Sequence, residues 1–226
     1  MYQILHSDRE TEVRGVLFDL DGVVIDTEKL YTRFWIEAAR DLGYTMTLEQ
    51  ALQMRSLGRV LSQQKLDSFY GPGLLDYMDL RARRIELMGA WIAEHGVEEK
   101  KGIRELLACL REKEIPCAIT SSSSIPVIRE HLGNLGLLEG FTALCSGKDV
   151  PHGKPAPDIY LHGAAVLGLK PDNCLAIEDS PAGIEAAWRA GCMPIIVPDQ
   201  DQPSDEVLSR CFAKADSLFD VIELVK

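Results

Sequence analysis

The sequence predicts an α/β fold: a parallel β-sheet flanked by helices, with a helical domain inserted after the first long strand. Three observations predict it. Short apolar runs suited to buried strands alternate with amphipathic helical stripes, which is the pattern of a parallel sheet covered on both faces. The stretch from about Lys29 to Gly96 breaks this alternation, with helical stripes and no clear strand. The length of 226 residues suffices for one substantial core plus a small second domain.

In chain order, Val13–Phe18 is the first buried strand. Within the insert, Tyr31, Phe34, Trp35, Ala38, Ala39 and Leu42 share one helix face, and Met78, Ile85, Met88 and Ile92 lie on another. The expected division is therefore residues 1–28 with 97–226 as the α/β core, and 29–96 as the helical insert. Ile103, Leu106, Leu107 and Leu110 follow the i, i+3, i+4, i+7 spacing of a helix packed on one side. Ile115–Thr120 and Thr142–Cys145 are the next strands. Ile159, Tyr160, Gly163, Ala164 and Leu167 form another helical stripe. Cys174–Ile177 is a strand, and Ala182–Ala190 a helix started by Pro181 and stopped by Gly191. Pro194–Val197 is a further buried strand.

Composition bounds the partners. The 24 Lys and Arg against 35 Asp and Glu leave a formal charge of −11, and so acidic a surface repels nucleic-acid backbones. An anionic ligand would need cations concentrated locally. The six cysteines form no C-x-x-C pair and sit mostly in apolar runs, which reads as buried free thiols in a reducing compartment. Met1–Glu12 is polar and has no apolar core of signal-peptide length. No run approaches the roughly 20 apolar residues of a membrane span. A cytoplasmic protein without a membrane or nucleic-acid partner is expected, and a monomer suits a core of this size. His6, His95, His131, His152 and His162 have no metal-site spacing, and Trp35, Trp91 and Trp188 fit buried helix faces.

Chemistry is expected where polar residues end apolar runs, because ligands of open parallel sheets bind beyond the carboxyl ends of the strands. The first strand delivers Asp19 and Asp21. The second delivers Thr120, Ser121 and Ser122, and the Cys174 strand delivers Glu178 and Asp179. Lys154 follows in Gly153-Lys154-Pro155. Clustered carboxylates need a cation to stay ionised, and hard oxygen ligands favour Mg²⁺. A phosphoryl group would add negative charge for Mg²⁺ and Lys154 to offset, so the set points to phosphoryl transfer. Each piece alone has a plainer reading. Asp179-Ser180-Pro181 also suits a helix start, the serine run a solvated turn, and Lys154 a surface lysine. Their joint occurrence in order, each beside a strand end, carries the argument.

At these residues the chain resembles the haloacid dehalogenase superfamily, in its branch of small phosphatases and β-phosphoglucomutase-like enzymes. The resemblance runs from about Arg14 to Val197. Its motifs are Phe18-Asp19-Leu20-Asp21-Gly22, Ser121 after Ala118-Ile119-Thr120, Lys154 in Gly153-Lys154-Pro155, and Glu178-Asp179-Ser180-Pro181. It implies a Rossmann-like core and reads the insert as an α-helical cap. It also implies that Asp19 attacks phosphorus to form an aspartyl-phosphate, while Asp21 serves as general acid and then base. Mg²⁺ would be held by Asp19, the Asp21 carbonyl and Asp179, with Glu178 binding directly or through water. Ser121, Ser122 and Lys154 would hold phosphoryl oxygens.

The expected reaction is Mg²⁺-dependent hydrolysis of a small phosphomonoester, a sugar phosphate by resemblance. The alternatives are a β-phosphoglucomutase-type mutase and, more remotely, a non-enzymatic phosphoacceptor module. The Asp21 acid and the large insert argue against the latter, and Asp21 also argues against a metal-free dehalogenase. Mutases of this branch carry a histidine where Tyr31 stands and a basic residue where Ser124 stands, so both positions favour a phosphatase. Arg59 matches a mutase cap arginine and is a candidate substrate contact. Arg81, Arg83 and Arg84 either reach the substrate or coat a helix.

Overall fold

The computed structural model describes residues 3–5, 12–54, 57–198 and 202–225. His6 and Ser56 lie outside them. Two compact units are present: residues 1–26 with 98–226, and Thr27–Val97. In chain order the strands are β1 (Gln3–Ile4), β2 (Gly15–Phe18), β3 (Cys117–Ser121), β4 (Ala143–Ser146), β5 (Cys174–Glu178), β6 (Met193–Ile196) and β7 (Ala213–Lys214). The helices are α1 (Glu28–Asp41), α2 (Leu48–Gln53), α3 (Arg59–Tyr70), α4 (Tyr77–His95), α5 (Ile103–Glu112), α6 (Ile125–Asn134), α7 (Asp158–Val166), α8 (Pro181–Ala190), α9 (Asp205–Leu208) and α10 (Leu218–Leu224).

The first unit is built on one sheet of order β1-β7-β6-β5-β2-β3-β4. Every pairing is parallel except β1 against β7. The chain runs outward from β2 to β3 and β4. It then crosses to β5 on the other side of β2 and continues through β6 to β7. The direction of strand order thus reverses at β2, and such a switch point opens a crevice beyond the carboxyl ends. The central strands are buried at every position, which is why β2 and β5 read as unbroken apolar runs rather than alternating ones. Helix α8 begins at Pro181 behind the capping side chain of Ser180, as its sequence predicts.

The helical unit packs α1 on α4 around Trp35, Ala38, Ala39, Leu66 and Leu80. Two of the predicted stripes need correction. Leu42 lies beyond the end of α1 and is exposed. On α4 the buried residues are Leu80, Arg84 and Met88, spaced by four, while Met78 and Ile85 are exposed. The Arg84 guanidinium is sandwiched between Tyr31 and Trp35, 4.5 and 4.4 Å from their ring centroids. This lets a charged residue take a core position that hydrophobic patterning assigns to a neighbour. Arg83 pairs with Asp41 at 2.6 Å and so ties α4 to α1. Trp188 of the first unit is also not core: it is half exposed, with Arg210 5.6 Å over its ring.

The insert leaves and re-enters the first unit at a single junction. Asp26 N–H donates to the Glu98 carbonyl at 2.8 Å, Lys100 N–H to the Val24 carbonyl at 2.9 Å, and Ile25 bridges Glu99 antiparallel. All six cysteines are free thiols. Burial pushes Cys117 and Cys211 up to about 12, which leaves them protonated and inert. Among the described residues no helix is long and apolar enough to cross a membrane.

Candidate active site

The predicted strand ends converge where β2 lies between β3 and β5. Asp19 directly follows β2, and its N–H donates to the Ile177 carbonyl of β5 at 3.0 Å. On the other side, Thr120 Oγ1 donates to the Phe18 carbonyl at 3.1 Å. The residue before Asp19 is thus fixed from β3 and Asp19 itself from β5. The chain then turns tightly through Asp21–Ile25, with Gly22 N–H donating to the Ile25 carbonyl at 2.8 Å. Gly22 has φ +80°, and a Cβ there would lie 2.0 Å from Asp179 Oδ2. Only glycine satisfies both the turn and the approach of that carboxylate.

Ser121 ends β3 almost fully buried, and its Oγ accepts from the Ser123 N–H at 3.0 Å. That bond uses an oxygen lone pair and leaves the hydroxyl proton to be given elsewhere. Ser122 follows and is exposed. Ser124 is the N-cap of α6. Lys154 lies in the loop between β4 and α7, before a cis bond to Pro155. Its Nζ is 2.6 Å from Asp19 Oδ1 and 2.6 Å from Glu178 Oε1. His152, two residues earlier, pairs at the surface with Asp158 at 3.0 Å. Arg59 opens α3 in the helical unit and borders a cavity of about 460 Å³ together with Gln63, Asp67, Asp76 and Tyr77.

Glu178, at the end of β5, is fully buried, and its carboxylate is surrounded by donors. Oε1 takes Lys154 and the hydroxyl of Tyr160, and Oε2 takes the hydroxyl of Ser180 at 3.1 Å. Ser180 Oγ in turn accepts from Gly183 N–H at 3.1 Å, capping α8. A Cβ on Gly183 would lie between 1.8 and 2.0 Å from the three atoms of the Glu178 carboxyl group. In a solvated helix, Gly→Ala stabilises by up to about 1 kcal/mol. Here Gly183→Ala is expected to reverse that sign and lose about 1–3 kcal/mol, the usual cost of forcing atoms into a packed site. Urea denaturation of the two proteins checks it, and a Gly183→Ala variant at or above wild-type stability would refute the contact.

One ammonium thus serves two buried carboxylates. Burial, reinforced by Glu178 and Asp21 and opposed by Lys154, pushes Asp19 up to about 7. Burial works against the Lys154 charge, but Asp19 and Glu178 outweigh it and hold the ammonium well above its ordinary value. Carboxylate oxygens of Asp19, Glu178 and Asp179 lie within 4.8 Å of one another. Three clustered carboxylates with the Lys154 ammonium leave a local excess of negative charge that a divalent cation would offset. The donors are all hard oxygens, so the residues present fit Mg²⁺.

Sequence reasoning placed Tyr160 in an apolar helix stripe and missed its hydroxyl. Tyr160 is fully buried on α7, and both α7 and the loop holding Lys154 follow β4. The available signal was a tyrosine in a stripe otherwise made of Ile, Gly, Ala and Leu, since a buried phenol needs a partner.

A family model described as haloacid dehalogenase-like hydrolase matches residues 13–191. Hexitol phosphatase A of Escherichia coli is 35% identical over 81% of this chain and 82% of its own. The β-phosphoglucomutase of Bacillus subtilis is 30% identical over 84% of this chain and 85% of its own. The crystal structure of a putative β-phosphoglucomutase from Thermotoga maritima superposes with a TM-score of 0.75 at 26% identity, covering 95% of this chain and all of that one. With the site above, these relatives define an enzyme of phosphoric monoesters, hydrolase or mutase. The chain belongs to the haloacid dehalogenase-like hydrolase family. That assignment sets aside the phosphoacceptor module.

Proposed function

We propose that the protein is a Mg²⁺-dependent phosphatase that hydrolyses a small sugar phosphate through an aspartyl-phosphate on Asp19. The observation that carries this reading is Asp19 itself: a buried carboxylate at the switch point, gripped by Lys154 and within reach of Glu178 and Asp179. Asp19, the Asp21 carbonyl and Asp179 would hold Mg²⁺, with Glu178 reached through water. Bound there, the ion offsets phosphoryl charge and lets Asp19 stay ionised at neutral pH.

In the first step an Asp19 oxygen bonds to phosphorus as the ester P–O bond breaks, and the leaving alkoxide takes a proton from the Asp21 carboxyl. In the second, water attacks the phosphoryl group and gives its proton to Asp21. The bond from phosphorus to Asp19 then breaks, restoring the Asp19 carboxylate and the protonated Asp21 and releasing phosphate. Lys154 and Ser121 hold phosphoryl oxygens, and the Ser122 backbone can add an N–H. The helical unit selects the substrate, in the role of the family's cap, and Arg59 is the candidate contact there.

The mutase shares every one of these steps up to the acceptor, and a mutase relative is among those described above. Tyr31 and Ser124 support water as the acceptor, because neither supplies the imidazole or the cation that a mutase has at those positions. A panel of sugar phosphates and other phosphomonoesters tests the proposal. Phosphate release with Mg²⁺ is expected to fall at least ~100-fold in EDTA. Rapid conversion of β-glucose 1-phosphate to glucose 6-phosphate, with its bisphosphate activator present, would identify a mutase instead.

A further inference from the structure

We propose that Tyr160 is a positioning residue of the reaction: it holds the Glu178 carboxylate so that Lys154 stays against Asp19. The proposal rests on the phosphoryl-transfer reading above and extends it to a residue outside the four motifs. Lys154 has two anions to choose between, 2.6 Å away on either side. Its position therefore depends on where the Glu178 carboxylate is fixed.

Three donors fix that carboxylate. Ser180 holds Oε2 at 3.1 Å, while Tyr160 and Lys154 share Oε1. Without the Tyr160 hydroxyl, Lys154 would be the sole donor on Oε1. The carboxylate would be less firmly held, and Lys154, paired with it at 2.6 Å, would be less firmly held against Asp19. The Tyr160 ring acts in the same sense, since Lys154 Nζ lies 5.2 Å from its centroid. A hydroxyl completing an ion pair is distinct from a ring filling space. Tyr160 does both, and the two are separable because phenylalanine keeps the ring.

Tyr160→Phe is the test, and Tyr160→Leu removes the ring as well. The Lys154 ammonium, shielded by two carboxylates, should give a slowly exchanging ¹H–¹⁵N signal, assigned by its loss in Lys154→Arg. In Tyr160→Phe that signal should exchange several-fold faster. The affinity of the Mg²⁺-loaded protein for inorganic phosphate, measured by calorimetry, should fall about tenfold, the weight of one hydrogen bond to a charged group. The kcat/KM should fall by a similar factor or more, with the melting temperature within a few degrees. Tyr160→Leu should lose more phosphate affinity. Unchanged ammonium exchange in Tyr160→Phe would overturn the proposal and leave Tyr160 as core packing. If exchange rises but the wild-type protein neither binds phosphate nor releases it from any ester, positioning stands and the phosphatase reading falls.

Discussion

Asp19→Asn is expected to abolish phosphate release, by at least ~10³-fold in kcat, without lowering the melting temperature. Loss of a covalent nucleophile has effects of that size or larger, since the remaining groups act only on a bond they cannot break alone. The second half of the expectation comes from the charge balance. With Asp19 ionised, one ammonium faces two buried carboxylates, and burial is what raises the Asp19 pKa to about 7. Asparagine keeps the shape and leaves Lys154 paired one to one with Glu178. At pH 8 the metal-free variant should therefore melt at or above the wild type. Steady-state assays and thermal melts check both halves. Undiminished turnover would move the nucleophile elsewhere, with Asp21 the next carboxylate in line.

Lys154→Met is expected to be the opposite kind of variant, inactive and unstable together. It removes the cation from Glu178, which is fully buried, and truncating one partner of a buried pair costs about 3–5 kcal/mol. In a chain of this size that is a fall of roughly 6–20 °C in melting temperature. Adding Glu178→Gln should restore much of the stability, because the amide can still accept from Tyr160 and no longer needs a counter-charge. Activity should stay lost in the double variant. If the single variant melts like the wild type, the Lys154–Glu178 pair is not the structural element described here.

The core was legible because its local signals agree with its global fold. A fully buried parallel strand reads as a short apolar run, and the first polar residue after it is delivered to the carboxyl edge. That logic located Asp19, Ser121 and Glu178 at strand ends within a residue or so. Ser180 and Pro181 declared the start of α8 for reasons of capping that hold in any helix. The misreadings have a common cause in contacts between distant segments. Tyr160 looked like one more apolar residue because its partner, Glu178, comes from a strand 18 residues on. On α4, Arg84 is buried by rings from α1, so the stripe was drawn through Met78 and Ile85 instead. Trp188 fits a helix face that reads as core, yet it is half exposed, with Arg210 from beyond β6 over its ring. Periodicity sees one element at a time, and these positions are decided by two.

The junction at Asp26 and Glu98 has a consequence for how such a chain diversifies. The two crossing segments are hydrogen-bonded neighbours, 2.8 Å apart, with a bridge one residue further in. To the sheet, the whole of Thr27–Val97 is a loop between two points already held together. Lengthening such a loop costs only the slow logarithmic growth of closure entropy. Seventy-odd residues can therefore be exchanged, shortened or recombined as a cassette while the carboxylates and lysine gathered at the strand ends stay where they are. Selection can reshape the insert without disturbing the sheet edge that carries the acidic cluster.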